Sequence, residues 1–316
     1  MFPLPRNRPL AHLGVALVCG FSFASSVAAE GPSNRLREPV YRPDKSTTGP
    51  RVPNQRPTPR SPRVAVRDNL PTVARRPHPL DPLLQLMTQS LDNVIHNVVD
   101  YKATLVKREQ VDGELLDYEY LFMKVRHERR DPNGQIVTPL GVYLRFEAPK
   151  KIAGREVLWI KGENNGKMIA HEGGLLGAFS VWLKPDSAVA MRGQRYPVTN
   201  IGIEMLLSQL IDRVNQDMRD ENPGNFDVRE FHGAKVDGRS CTCIQVTHPV
   251  RQPQFDYYRA RIFVDNELNV PIRFAAWDWP VGKRAAVLEE YTYRNLQLNV
   301  NLTDADFNHD NESYEF

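Results

Sequence analysis

Apolar residues recur at every third or fourth position in two segments, 81–99 and 201–218, and this spacing predicts two amphipathic helices. The first begins with Asp81, which can cap the helix, and Pro82, which suits its first turn. In each segment the apolar residues form one stripe, so each helix is expected to pack one face against the core. The stripes consist of Leu84, Met87, Leu91, Val94, Ile95 and Val98, and of Ile203, Leu206, Leu207, Leu210, Ile211 and Val214.

Most of the chain beyond residue 100 alternates between apolar and polar residues with a period of two, which is typical of β-strands. Turn sequences such as Val111-Asp112-Gly113 separate roughly ten strands in meander order. The predicted fold class is α+β: a strongly curved antiparallel sheet, or half-open β-barrel, with the two long helices on its concave face. Such an arrangement tends to leave an apolar cleft between the two layers.

The first 29 residues have the pattern of an export signal. Arg6 and Arg8 precede an apolar stretch from Leu10 to Phe23, and small residues up to Ala29 offer a cleavage site. We therefore predict a cleaved signal peptide over 1–29 and export to the periplasm or cell envelope. An uncleaved membrane anchor is the alternative.

Composition and charge change at residue 30. Of the 25 prolines, eleven lie in 30–80, where the net charge is +7, so that the chain total of +3 leaves 81–316 at −6. A segment with so few large apolar residues cannot offset its ordering entropy, which predicts a disordered Pro/Arg-rich linker over 30–80 and one folded domain over 81–316. The alternative is a basic arm that contacts an anionic envelope surface. Export and an acidic domain argue against nucleic acid as a partner.

Several short motifs of the predicted domain recur together in one known family. They are Lys107–Gly113, Met123–Arg126, Val142–Pro149, Gly154–Gly162, Glu289–Tyr293 and Asp306-Phe307. In this combination, 81–316 resembles the domain-of-unknown-function family 1571, whose members are exported bacterial proteins. The order of elements, and a strand that ends at Pro149, are also similar to periplasmic lipoprotein carriers of the LolA and LolB type.

The resemblance to the carriers implies a half-open barrel whose helices line an apolar cavity. It implies a non-enzymatic protein, without a cofactor, that binds a lipid or the acyl chain of a lipoprotein. Burial of an acyl chain gains about 0.8 kcal/mol per CH₂, so such a site needs an apolar concave wall. The candidate wall residues are Leu144, Phe146, Trp159 and Phe274, and for each the alternative is ordinary core filling.

Two further segments carry hypotheses. Residues 173–182 combine glycines with apolar bulk, which is typical either of a mobile lid or of a loop that leads into the next strand. Trp277–Pro280 is the candidate exposed patch for the alternative function, an envelope scaffold or protein-interaction module that uses the sheet surface and the basic arm.

Motifs for catalysis or metal binding are weak. The chain has no Gly-x-Ser-x-Gly elbow and no His-Glu-x-x-His helix, which disfavours a hydrolase. Acidic residues in 304–315 have the spacing of a calcium loop, but His309 occupies the position that needs glycine. We expect instead an acidic end whose Tyr314 and Phe316 pack on the sheet. Cys241 and Cys243 lie two apart in a predicted strand, where a disulfide would be strained, so we expect two small thiols.

Overall fold

The computed structural model describes residues 77–173 and 179–316. The predicted export signal and nearly all of the predicted linker lie outside these residues, as does the centre of the candidate lid. Two α-helices are present in the described part, α1 (Asp81–Asn97) and α2 (Ile203–Asp217). The strands are β1 (Asp100–Val111), β2 (Glu114–Leu115), β3 (Glu119–Arg126), β4 (Arg129–Arg130), β5 (Ile136–Thr138), β6 (Gly141–Ala148), β7 (Glu156–Ile160), β8 (Met168–His171), β9 (Ser180–Leu183), β10 (Asp227–Val236), β11 (Arg239–Thr247), β12 (Arg259–Asp265), β13 (Pro271–Trp277) and β14 (Val287–Leu298).

Twelve of the described strands form one antiparallel sheet in the order β10-β11-β12-β13-β14-β1-β3-β6-β7-β8-β9, with β2 paired to β1. Strands β4 and β5 form a separate ribbon. The predicted antiparallel sheet with two helices is therefore confirmed. The sheet is neither closed nor strongly curled, so the predicted half-open barrel is not confirmed. Strands outnumber the prediction because β2, β4, β5 and β9 have two to four residues, too few for a clear alternation.

Both helices contribute to one apolar core on a single face of the sheet, which we call the inner face. Met87 of α1 and Leu207 of α2 are buried there with Leu105 and Leu121 of the central strands. The start of α2 is fixed by the buried Tyr101, whose hydroxyl accepts a hydrogen bond from the Ile203 backbone N–H at 2.9 Å. Residue 202, just before the helix, is a glycine with φ of +116°, a conformation that L side chains rarely adopt.

The C-terminal segment, residues 299–316, packs on the opposite, outer face. Tyr314 stacks on Tyr143 of β6 with ring centroids 4.0 Å apart, and Phe316 meets both rings edge-on. Asp306 accepts a hydrogen bond from Lys124 Nζ at 2.8 Å. The expected packing of Tyr314 and Phe316 on the sheet is confirmed. Acidic residues of the calcium-like sequence therefore pair with basic side chains of the sheet.

The two cysteines of β11 are free and buried. Burial raises the pKa of the Cys241 thiol and of the Cys243 thiol to about 12 in each case. A raised pKa keeps both thiols protonated in the native protein up to strongly alkaline pH.

We expect Cys241 and Cys243 to resist alkylation at pH 8 until the domain unfolds. An unfolded thiol ionises near pH ~8.5, so the native thiolate fraction at pH 8 is lower on the order of a thousandfold. Iodoacetamide labelling with and without denaturant, read by peptide mapping, measures this. Labelling of either cysteine at equal rates in both conditions would contradict the buried assignment.

Candidate functional site

The structure buries all four predicted wall residues on the inner face, and they belong to one continuous core. Leu144 and Phe146 lie on β6, and Trp159 lies on the neighbouring β7. These three share one region of the sheet. Phe274 lies on β13, four strand positions from β6, which is roughly 19 Å along the sheet. It is paired with Tyr291 and therefore belongs to a different neighbourhood.

The three clustered residues belong to an apolar surface that continues to the edge of the sheet. Strand register places side chains of β6, β7, β8 and β9 opposite one another on the inner face. None of the side chains in this set is polar apart from the indole N–H of Trp159. We call the set the inner strip; it consists of Val142, Leu144, Phe146, Val157, Trp159, Met168, Ala170, Val181 and Leu183.

One row of the inner strip passes from the protein interior to solvent. Leu144 is paired with Val157, Val157 with Ala170, and Ala170 with Val181. Relative exposure along this row is 3% at Leu144 and 7% at Val157, intermediate at Ala170 and 47% at Val181. The row spans three strand spacings, roughly 14 Å. The strip is thus covered at one end and accessible at the edge strand β9.

Edge strand β9 was not predicted as a strand. The strand is short, and its sequence did not distinguish a mobile lid from a loop that leads into the next strand. Among the described residues it pairs only with β8, so its other edge has no strand partner there. Phe179, which precedes it, is 82% exposed. A short edge strand flanked by exposed apolar side chains marks the accessible end of the inner strip.

The segment 184–202 returns from β9 to the start of α2 and is tied to the centre of the sheet. The Arg195 backbone N–H donates to Glu109 Oε2 at 3.1 Å, and Arg195 Nε lies 3.1 Å from Glu289 Oε2. Lys107 Nζ donates to Gln194 Oε1 at 2.9 Å. These contacts join the segment to β1 and β14, two central strands of the sheet.

The same contacts belong to a buried ionic cluster, defined by Lys107, Glu109, Glu119, Arg195 and Glu289. Lys107 Nζ lies 2.9 Å from Glu109 Oε2 and 3.0 Å from Glu119 Oε2, and the Lys107 side chain is only 5% exposed. Three carboxylates thus face two cations in an interior site. Sequence analysis missed this cluster because its members come from four distant parts of the chain. Alternate polar positions within the strands at 107–109 and 289–291 were the available signal.

Burial raises the pKa of the Glu289 carboxyl above its ordinary value, and the neighbouring Glu109 carboxylate adds to this effect. Arg195 and the hydroxyl groups of Tyr196 and Tyr291 oppose it. The raised pKa is the expected consequence of an excess carboxylate in a site with little water. The arrangement holds the backbone segment around Arg195 in place.

A second buried polar group lies at the end of α2. Asp217 Oδ2 accepts a hydrogen bond from the Tyr257 hydroxyl at 3.1 Å and lies 3.5 Å from His248 Nε2. Its other oxygen lies 3.2 Å from Arg213 Nε. His248 also stacks on Phe255, with ring centroids 3.9 Å apart. The contacts with Tyr257 and His248 join the end of α2 to the connection between β11 and β12, which assigns this group a structural role.

The predicted exposed aromatic patch at Trp277–Pro280 is covered. Both tryptophans are half-buried. Guanidinium groups lie over both rings, Arg259 and Arg261 over Trp277 and Arg251 over Trp279, at 5.2 to 5.7 Å from the ring centroids. Cation–π contact of this kind shields an aromatic surface from solvent.

Two open surface grooves lie away from the predicted wall. One, of about 410 Å³, lies between the start of α1 and the strands β10 and β11, and Pro82, Phe226 and Ile244 are among the residues that line it. The other, of about 380 Å³, is lined by polar residues of the turn between β10 and β11 and of the turn between β12 and β13. None of the four predicted wall residues lines either groove. An apolar chain on the inner strip therefore requires side chains to move.

The described residues contain no candidate metal site and no candidate membrane-spanning helix. Within 77–173 and 179–316, no group of three or more His, Cys, Asp or Glu side chains is arranged to hold a metal ion. In that same part of the chain, no helix has the length and apolar character that a membrane crossing requires.

Comparison with solved structures gives weak similarities. The chain is similar to a DUF1329 family protein from Desulfovibrio piger, with 15% identity, 74% of this chain and 98% of that chain covered, and a TM-score of 0.35. It is similar to the lipoprotein LppX from Mycobacterium tuberculosis, with 14% identity, 71% and 100% covered, and a TM-score of 0.37. A LolA superfamily protein from Nitrosomonas europaea has 8% identity, 71% and 97% covered, and a TM-score of 0.28.

The TM-scores are low, and the interpretation of the site therefore rests on its own residues. No curated protein matches this sequence. The family model for DUF1571, described as a protein of unknown function, matches residues 98–316. Because this match spans more than half of the chain, the protein belongs to the DUF1571 family.

Proposed function

We propose that the domain is a non-enzymatic protein of the cell envelope that binds the acyl chain of a lipid or lipoprotein on the inner strip. The acyl chain of the ligand enters at edge strand β9 and extends along the sheet toward Leu144, Phe146 and Trp159. Phe274 lies too far along the sheet to contact the same chain. Export by the signal over 1–29, followed by the linker over 30–80, brings the domain to a compartment that contains acyl chains.

One observation carries this proposal: the row from Leu144 to Val181 is apolar throughout and becomes progressively more exposed toward β9. At β9 the exposed Val181 lies beside the exposed Phe179, and contiguous apolar exposure of this kind marks a ligand or interaction site more often than a single exposed residue does. Each CH₂ that leaves water gains about 0.8 kcal/mol, so a chain of several CH₂ groups repays the displacement of the side chains that now cover the strip.

We expect Val181→Asp to weaken binding of a dansyl-labelled fatty acid methyl ester at least about tenfold. The new carboxylate would lie beside the acyl chain, and an ionised group without a partner is costly next to apolar surface. Fluorescence titration of the full-length chain measures the dissociation constant. Because Val181 is half exposed, the variant should unfold at nearly the same denaturant concentration as the unchanged protein.

Val137→Asp is the matched control. Val137 is 62% exposed on β5, which belongs to the separate ribbon, and the chemical change is identical. It should leave probe binding unchanged. The proposal fails if the unchanged protein does not bind the probe, or if the two variants bind it equally well.

A protein-interaction function is the second candidate, and one observation favours it. Phe179 and Trp182 expose 82% and 39% of their surface beside the edge of β9 that has no strand partner within 77–173 and 179–316. An edge strand of this kind can add a strand from a partner. The size of the full-length chain is measured first without and then with envelope extract. A larger species that forms only with the extract, and that Trp182→Lys abolishes, supports a partner.

A further inference from the structure

We infer that the ligand of the inner strip is a neutral ester- or amide-linked acyl chain, and that its carbonyl oxygen accepts a hydrogen bond from Trp159 Nε1. This inference rests on the proposed function and specifies the chemical class of the ligand. It starts from a polar atom that the fold leaves unpaired.

Trp159 lies in the inner strip, opposite Val142, with only 8% of its surface exposed. Its Nε1 is buried and has no hydrogen-bond partner among the described residues. A buried tryptophan usually finds an acceptor for its N–H, because an unpaired donor forfeits the hydrogen bond that water would have provided. The position is therefore incomplete without an acceptor from elsewhere.

The neighbouring groups explain why no acceptor is available. Val142 lies opposite Trp159 in the ladder, and the other inner-strip residues of β6, β7 and β8 belong to the same apolar cluster. None of these side chains carries an acceptor of useful strength. Backbone carbonyls on either side serve the ladders that join β6, β7 and β8. An acyl chain on the strip would bring its own carbonyl to this N–H.

The charge near the strip favours a neutral acceptor over a carboxylate. Arg155 lies over the Phe146 ring at 5.5 Å, and both its Nε and its Nη2 donate to Glu172 Oε2, at 3.1 and 3.0 Å. This cation is already neutralised, so a free fatty acid would bury its charge beside apolar residues without a partner. An ester or amide carbonyl accepts the same hydrogen bond without that cost.

Two uncharged probes of similar length test the inference: methyl palmitate and heptadecane. The full-length chain, labelled with ¹⁵N at tryptophan, is titrated with each, and competition with the dansyl-labelled fatty acid methyl ester gives the affinities. We expect the ester to bind about three- to tenfold more tightly, the factor that corresponds to one net hydrogen bond. The Trp159 indole signal should move downfield with the ester and remain nearly unchanged with the hydrocarbon.

Trp159→Phe assigns that signal and removes the donor together with part of the ring. It should lower the ester-to-hydrocarbon affinity ratio at least about three- to tenfold, while the matched control Trp279→Phe, which makes the same change at another unpaired buried indole N–H outside the strip, should leave that ratio unchanged. If the unchanged protein binds both probes equally, or if its free Trp159 indole proton exchanges rapidly with water, the inference is overturned and the apolar site stands. If neither probe binds, the proposed function fails as well.

Discussion

Replacement of Lys107 by methionine is expected to destabilise the domain by about 3–5 kcal/mol, the range for removal of one partner from a buried ion pair. Lys107 Nζ is the cation shared by Glu109 and Glu119, and it also holds Gln194. Without it, two carboxylates remain buried next to each other. Chemical denaturation, followed by circular dichroism, measures the free energy of unfolding.

Two further variants separate the ionic effect from lost packing. Adding Glu119→Gln to Lys107→Met removes one of the orphaned charges and should recover part of the lost stability. Lys161→Met, which breaks an ion pair whose lysine side chain is 50% exposed, should cost no more than about 1 kcal/mol. Equal losses from Lys107→Met and Lys161→Met would show that the cluster is not buried as described.

Asp217→Asn should produce the second large loss, again about 3–5 kcal/mol, with a fall in Tm of roughly 10 °C. Asp217 has a fully buried side chain that faces Arg213, His248 and Tyr257. The Tyr257 hydroxyl donates to it and the Arg213 guanidinium lies 3.2 Å away, and an amide provides neither the charge nor a second acceptor. Thermal unfolding by calorimetry measures the change.

Asp256→Asn is the control, since Asp256 also binds Arg213. Its side chain is 46% exposed, so water already screens the pair and the expected cost is below about 1 kcal/mol. The comparison keeps the arginine and the chemical change constant, while Asp217 differs from Asp256 in its burial and in its contacts with His248 and Tyr257. If Asp256→Asn costs as much as Asp217→Asn, exposure is not what sets the strength of these contacts.

The long elements of the fold were predictable because each carries its own local signal. The apolar stripe that predicts α1 and the alternation that predicts β6 depend on residues only a few positions apart. Strand β9 gave no such signal, since its four residues take their pairing from β8. The extent of curvature also escaped prediction, because the twist of a sheet depends on the packing of all its strands.

The candidate site shows the same division. Leu144 and Phe146 were predictable as inner-face residues from alternation in β6, whereas β7 is apolar on both faces, so the sequence did not show on which face Trp159 lies. Phe274 has the same local pattern, but strand order places it beside Tyr291, which contacts the buried ionic cluster. Separation along the chain gives no measure of separation across a sheet, so sequence could not distinguish these cases.

The sequence by itself therefore determined the two helices, the long antiparallel strands, the family and the apolar character of the wall, since these follow from local periodicity and short motifs. Tertiary structure alone decided that five charged residues from four parts of the chain meet in one buried cluster, which face of the sheet the C-terminal aromatic residues occupy, and that the inner strip reaches solvent at β9. The physical reason is that burial and long-range pairing arise only when strands far apart in the chain adopt their register.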